Sequence, residues 1–144
     1  MPVQDFIGAY TGQMPVAYAG MIAESQLTKD VASKVITTGA VAFGLAVGRN
    51  GTTPGTARLG GTGFEGIAVA DKSRLADQYE IGEMAGVLRK GTIWVLAANT
   101  VTIADPVTFT AATGVIGAGL LTTIADARFE TAGTVGQLVR VYLG

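Results

Sequence analysis

Hydrophobic and polar positions alternate over short stretches of this chain, and apolar stripes with the period of a helix are hard to find. The alternation is clearest in the C-terminal run Val135–Leu143. In a strand, every second side chain lies on the same face. One face of this run would therefore carry Leu138, Arg140 and Tyr142, and the other Val139, Val141 and Leu143.

Turn-forming residues separate the predicted strands, and Gly alone accounts for 21 positions. Gly permits tight turns, and Thr suits a pleated strand. Many short strands with frequent turns predict an all-β fold, a β-sandwich or a barrel-like single domain. The predicted strands are Val16–Ala23, Lys34–Thr37, Val41–Val47, Phe64–Ala70, Met84–Leu88, Thr92–Ala97, Val107–Thr110, Val115–Ile116, Leu120–Ile124, Arg128–Glu130 and Val135–Leu143.

Three connections between these strands have a recognisable pattern. The polar run Ser25–Ser33 predicts a loop or a short helical turn. The segment Arg49–Gly63 contains Asn-Gly and Pro-Gly pairs, which are turn signals and predict a long flexible loop. The tripeptide Arg89-Lys90-Gly91 predicts a tight hairpin turn between its two flanking strands.

The N-terminal 15 residues predict an extended arm that precedes a β-rich domain over residues 16–144. The arm is too short and too interrupted by Gly and Pro to form a core of its own. It either packs on its own domain or reaches a neighbouring copy. Without a basic segment and an apolar segment, it is not expected to be a signal peptide. Its apolar contact candidates are Val3, Phe6, Ile7, Tyr10 and Met14.

Composition adds a reason to expect a covered surface. Only 15% of the 144 residues are charged, against about 25% in typical domains. Hydrophobic residues make up 49% of the chain, and its mean hydropathy is +0.43. We expect part of the outer surface to be covered by copies of the chain or by another protein. The alternative is a monomer in which Ala raises the hydropathy without creating apolar patches.

The residue types present exclude several functions. The chain contains no His and no Cys, so it has no Ser-His-Asp triad, no disulfide and no thiolate metal site. We expect no cofactor. The net charge is −1 without a basic stripe, which argues against a nucleic-acid partner. The uncharged run Pro106–Ala125 is rich in Thr and Gly, so it predicts strands and no membrane partner.

Weaker motifs favour structural interpretations. The stretch Leu59–Gly63 lacks the Gly-Lys-Ser/Thr ending of a phosphate loop and predicts a flexible surface loop. Lys72 lies in an Asp-Lys pair similar to that of lipoyl-carrier hairpins, but a solvated turn is favoured. The carboxylates Asp77, Glu80 and Glu83 predict a solvated strand edge and not a calcium loop.

Trp94 is the only tryptophan, and it lies in the apolar stretch Thr92–Leu96. An indole in that setting packs on the core or at a subunit boundary, with its N–H needing a partner. Trp94 is therefore the sixth candidate for contact with another protein subunit.

Taken in order, several stretches resemble the small cement, or head-decoration, proteins of tailed bacteriophages. The resemblance covers roughly residues 40–117, although Ala104-Asp105 and Gly82-Glu83 stand where members of the family usually have Gly-Asp. No single motif is specific, and the order of all of them carries the resemblance. The stretches are Phe43–Val47, Gly66–Asp71, Tyr79, Gly82-Glu83, Val87–Val95 and Asp105–Val107.

The resemblance implies a non-enzymatic capsid cement protein on the outer surface of the virion, made in the bacterial cytoplasm. It would bridge capsomers and stabilise the shell, with the major capsid protein and copies of itself as partners, as a homo-dimer or a homo-trimer. The alternative is a β-sandwich carbohydrate- or receptor-binding module of a virion, with a shallow groove near Trp94, Tyr79 and Tyr142. An enzyme or a carrier domain is the third hypothesis, which a modification on Lys72 would support.

Overall fold

In a computed structural model, the chain is described over residues 17–23, 29–61, 63–74 and 76–144. The arm predicted over residues 1–15 lies outside these ranges. Within these ranges, all regular secondary structure is β-strand, and this confirms the all-β prediction. The strands are β1 (Asp30–Ile36), β2 (Val41–Ala42), β3 (Ala46–Arg49), β4 (Thr56–Leu59), β5 (Phe64–Ala68), β6 (Gln78–Tyr79), β7 (Met84–Leu96), β8 (Pro106–Phe109), β9 (Ile116–Gly117), β10 (Thr122–Phe129) and β11 (Leu138–Leu143).

Five of these strands close into a barrel. They follow the order β1-β4-β3-β5-β7, and β7 pairs back onto β1. All neighbours are antiparallel except β1 and β4, which are parallel. Closure removes the free strand edges that an open sheet would present. Each strand contributes at least one fully buried side chain to the barrel core, and these include Ile36, Val47, Ala57, Ala68, Ala85 and Val87.

The long strand β7 also belongs to a second sheet. Its C-terminal half pairs with β11, and the sheet continues through β10 and β8 to β9. A parallel bridge between Ala97 and Ile116 then returns β9 to the end of β7. The inner face of this ring forms a second core, which includes Ile93, Val95, Val107, Phe109, Ile116, Phe129, Val139 and Val141.

The hairpin turn predicted at Arg89-Lys90-Gly91 is wrong, because β7 runs through it without a break. Arg89 and Lys90 are both exposed at the place where β7 leaves the barrel and enters the second sheet. Gly91, with φ of 128°, is the first residue paired with β11. Two adjacent polar residues and a glycine therefore mark a change of sheet, although they have the composition of a turn.

The prediction of one long flexible loop over Arg49–Gly63 is also wrong. The segment contains β4, and Gly60 and Gly61 are buried. The Gly60 N–H donates to the Ala46 carbonyl at 2.9 Å, and the Gly61 N–H donates to the Ala111 carbonyl at 2.8 Å. These glycines therefore join the barrel to the loop that follows β8.

Other boundaries differ less. A turn at Phe43-Gly44 divides the strand predicted over Val41–Val47 into β2 and β3. The predicted strands on either side of Asp126 form one strand, β10. The described part of Val16–Ala23 forms a single bridge, from Ile22 to Ile93, in place of a strand. The face alternation predicted for β11 is confirmed.

The mean hydropathy of the chain, +0.43, is high for a chain of strands and turns. The described part of the chain contains no helix long and apolar enough to cross a bilayer.

Candidate functional site

The outer face of the second sheet gathers the side chains most suited to binding another protein. In β11, the core positions alternate with Leu138, Arg140 and Tyr142, which are partly exposed. Register pairs Leu138 with Leu96 and Arg140 with Trp94 on β7, and Tyr142 with Arg128 on β10. We call this surface the aromatic–arginine face, defined by Trp94, Leu96, Arg128, Leu138, Arg140 and Tyr142.

Two cation–π contacts order this face. The guanidinium carbon of Arg128 lies 4.3 Å from the ring centroid of Tyr142, and that of Arg140 lies 5.9 Å from the centroid of Trp94. Arg128 also donates from Nε to Glu130 at 3.1 Å. Tryptophan, tyrosine and arginine are the residue types enriched at the energetic centres of protein interfaces. Held in this way, they lose little further side-chain entropy on binding.

Backbone hydrogen bonds fix Trp94 in place. A short segment, Gly20–Ala23, lies along the edge of β7 that faces away from β11. The Trp94 N–H donates to the Met21 carbonyl at 2.9 Å, and the Trp94 carbonyl accepts from Gly20 at 2.8 Å. This part of the β7 edge is therefore already paired, so a partner meets the side chains of the face and not its backbone.

An exposed apolar groove adjoins the aromatic–arginine face at Leu96 and reaches Tyr18. Leu96 is 53% exposed and Tyr18 is 40% exposed. Both line a small groove with Phe43 and Lys72. The Lys72 ammonium lies 4.3 Å from the centroid of the Tyr18 ring. Lys72 also pairs with Asp77, another lining residue, at 3.5 Å, so the groove joins apolar area to a rim with charges of both signs.

Of the six predicted contact residues, only Trp94 lies in the described part of the chain. Val3, Phe6, Ile7, Tyr10 and Met14 lie outside it. The structure adds two residues of the aromatic–arginine face that the sequence did not indicate, Arg128 and Leu96. Alternation along β11 already placed Arg140 on the outer face. The neighbours of these β11 residues on β7 and β10 depend on strand register, for which the sequence carries no local signal.

The groove suggested for the carbohydrate-binding alternative does not form. Tyr79 is buried in the barrel core, where its hydroxyl donates to the Val69 carbonyl at 2.6 Å. Its ring packs edge-on against Phe43, with centroids 5.3 Å apart. Burial raises the pKa of Tyr79. Trp94 and Tyr142 lie on the other sheet, so the three aromatic rings do not line one groove.

The remaining motifs have structural roles. Asp71 accepts hydrogen bonds from the Ser73 N–H at 3.1 Å and from its hydroxyl at 2.6 Å, so Lys72 lies in a solvated turn as predicted. A hydrogen bond from the Glu80 N–H, together with Arg74, holds the pKa of Glu83 below its usual value. Within the described ranges, no three acidic side chains are placed to bind a metal ion.

One end of the barrel carries an ion triad formed by Lys34, Glu65 and Arg49, which lie on β1, β5 and β3. The Lys34 ammonium lies 3.2 Å from one oxygen of Glu65, and Arg49 Nε lies 3.1 Å from the other. The Glu65 side chain is only 11% exposed. Burial raises the pKa of this carboxyl, but the two cations outweigh burial and hold the pKa below its ordinary value of 4.5.

We expect the ion triad to make stability depend on acidic pH. Because the folded-state pKa of Glu65 is lowered, its contribution is fully present above the unfolded-state value of 4.5. That contribution is lost as the pH falls through the folded-state pKa. Denaturant unfolding of the wild type and of Glu65→Gln should give free energies whose difference is large near neutral pH and shrinks in acid. A difference that stays constant with pH would contradict this assignment.

The fold and the aromatic–arginine face define a class, a small all-β protein with an exposed sheet face of aromatic, arginine and leucine side chains. The model of one protein family, described as "Structural cement protein (E217 gp24/Pam3 gp6)", matches residues 7–144. The chain therefore belongs to the phage structural cement protein family, which confirms the resemblance seen in the sequence. It is a structural component of the virion capsid and not an enzyme.

Two solved structures share the fold. A chain from "The capsid of Myoviridae Phage XM1" superimposes with a TM-score of 0.68 at 19% identity, covering 94% of this chain and 96% of that one. The N base of head fiber gp8.5 from bacteriophage phi29 superimposes with a TM-score of 0.50 at 13% identity, covering 81% and 95%. At these identities, the similarity concerns the fold alone. No curated protein sequence matches the chain.

Proposed function

We propose that this protein binds the outer surface of a phage head, contacts the major capsid protein and stabilises the shell by bridging capsomers. The observation that carries this proposal is the aromatic–arginine face. It combines Trp94, Tyr142 and two arginines with the half-exposed Leu96 on one rigid sheet. Family membership and the similarity to a chain of a phage capsid support the same function.

We further propose that the protein acts as a homo-oligomer, either a dimer or a trimer. A shell offers many copies of the same binding site. An oligomer that reaches two or more of them gains about 10² to 10⁴ in overall affinity through effective concentration alone. The low charged fraction, 15%, reduces repulsion between copies held close together. Sedimentation equilibrium of the free protein would distinguish a dimer from a trimer, and a monomer would contradict this proposal.

We assign the N-terminal arm, residues 1–15, to attachment. Its apolar residues Phe6, Ile7 and Tyr10 would order on binding, at a cost of about 1–2 kcal/mol per backbone residue. Burial of those side chains, at about 25 cal/mol per Å², must offset this cost. Deletion of residues 1–14 should therefore weaken binding to heads by about 10²-fold, through lost avidity, and change Tm little.

A full-length control separates arm chemistry from arm length. Serine at Phe6, Ile7 and Tyr10 removes the apolar groups and keeps the chain length. We expect its affinity for heads, measured by co-sedimentation, to fall almost as far as that of the deletion variant. If the deletion lowers Tm and attachment to an equal degree, the arm belongs to the fold of its own domain.

A further inference from the structure

The ion triad lines a cavity at the end of the barrel that contains more positive than negative charge. The cavity has a volume of about 220 Å³, and residues 51–56 form its rim. Lys34, Arg49 and Glu65 are its charged lining groups. The end of β3 and the start of β5 both lie at this end of the barrel, beside the start of β4. Four strands, β1, β3, β4 and β5, and one turn thus converge on a single small opening.

Glu65 neutralises only one of its two cationic neighbours. Each of its oxygens faces one cation, at 3.2 Å for Lys34 and 3.1 Å for Arg49. The Lys34 side chain is only 19% exposed, so the positive charge of the triad is partly removed from water at this position. A partly buried charge without full compensation is costly, and an anion placed beside it removes that cost. The triad therefore has a net attraction for one further negative group.

Arg49 and Lys34 have more N–H donors than their contacts with Glu65 use, so donors are available for an anion. A guanidinium carries five N–H donors and an ammonium carries three. Within the described ranges, Arg49 uses Nε for Glu65, and its side chain is 75% exposed. Thr52 and Thr53 on the rim add hydroxyl groups to the same cavity. Hydrogen bonds between charged groups are roughly twice as strong as neutral ones, so Arg49 and Lys34 would provide most of the affinity.

We propose that this end of the barrel is a binding site for a compact oxyanion, a phosphate or a carboxylate group, held by Arg49 and Lys34. The cavity is smaller than the roughly 300–1,000 Å³ typical of drug-sized ligands, which suits one such group and not a cofactor. The two sources of this chemistry are free phosphate from solution and a carboxylate from a neighbouring protein. This site is separate from the aromatic–arginine face and does not depend on the proposed attachment.

The test is an NMR titration of the full chain with inorganic phosphate and, separately, with acetate, in which the amide resonances of Gly51 and Gly55 are followed. We expect the chemical shifts of these amides to change and saturate with at least one of the two anions. The anion that binds more tightly identifies the source, phosphate from solution or a protein carboxylate. Absence of saturable shifts with both anions would overturn the proposal.

Four variants sharpen the test, each checked for folding by its Tm. Arg49→Gln and Lys34→Gln should each raise Kd about tenfold, the effect of losing one charge-assisted hydrogen bond. Lys90→Gln removes the same charge away from the cavity lining and should leave Kd within about twofold. Glu65→Gln removes the competing carboxylate and should lower Kd by about fivefold. Equal effects of Arg49→Gln and Lys90→Gln would indicate general charge attraction and overturn the site.

Discussion

Substitution of Gly60 by Ala should destabilise the protein by about 2–5 kcal/mol. Two costs add at this position. Gly60 has φ of 63°, a backbone conformation that costs an L-residue about 1–2 kcal/mol. A Cβ at Gly60 would also overlap the carbonyl oxygen of Ala111, which is backbone and cannot rotate away. Forcing atoms into a packed interior costs about 1–3 kcal/mol. Denaturant unfolding measures the sum.

Gly39→Ala is the matched control for this prediction. Gly39 has a similar φ of 72°, but a Cβ there meets no atom within 4 Å. Both substitutions lower the entropy of the unfolded chain to the same extent, so this effect cancels in the comparison. Gly39→Ala should therefore lose only about 1–2 kcal/mol. Equal losses of stability at the two positions would show that the overlap of a Cβ at residue 60 with the Ala111 carbonyl has no cost, which would contradict the prediction.

Substitution of Trp94 by Ala should weaken attachment to phage heads by about 30-fold per copy. Truncation of a central interface residue costs about 2 kcal/mol or more, and each 1.4 kcal/mol is a factor of ten in affinity. Trp94 is expected to behave in this way because it lies beside Arg140 and the exposed Leu96, with its backbone N–H and carbonyl hydrogen-bonded to Met21 and Gly20. Binding of the purified protein to heads that lack it measures the effect.

Trp94→Phe and Ile81→Ala separate attachment from stability. Trp94 is half-buried, so Trp94→Ala also removes packing, whereas Trp94→Phe keeps an aromatic ring and most of the fold stability. Ile81 is 62% exposed in the turn between β6 and β7, away from the aromatic–arginine face. Ile81→Ala should bind heads like the wild type. A similar loss for Ile81→Ala and Trp94→Ala would show that the face is not the contact surface.

Sequence pattern predicts the strands with one buried face. In β11, every second residue is buried, and alternation assigns each residue to the correct face. The pattern fails in β7, where Val87 and Leu88 are buried in succession, one in each core. A strand that changes sheet shifts its alternation at the crossing, and polar residues at that point have the composition of a turn. Local sequence does not distinguish the two cases.

Long-range packing limits prediction of the glycine-rich stretch Leu59–Gly63 in the same way. Its composition favours a surface loop, but Gly60 and Gly61 are buried, with Gly60 packed on residues 110–111 after β8 and the Gly61 N–H bonded to the Ala111 carbonyl. Glycine permits both a flexible loop and a close backbone approach, and only the distant partner decides between them. The Arg128–Tyr142 contact depends likewise on the register of β10 against β11.

Sedimentation of the phage particles, with quantitative mass spectrometry of the pelleted shells, tests the proposed cement function most directly. A protein that bridges capsomers over the whole head should pellet with the shells at a copy number close to that of the major capsid protein. A few copies per particle would instead indicate a fibre or receptor-binding component. Recovery of the protein only in the soluble fraction would contradict capsid binding altogether.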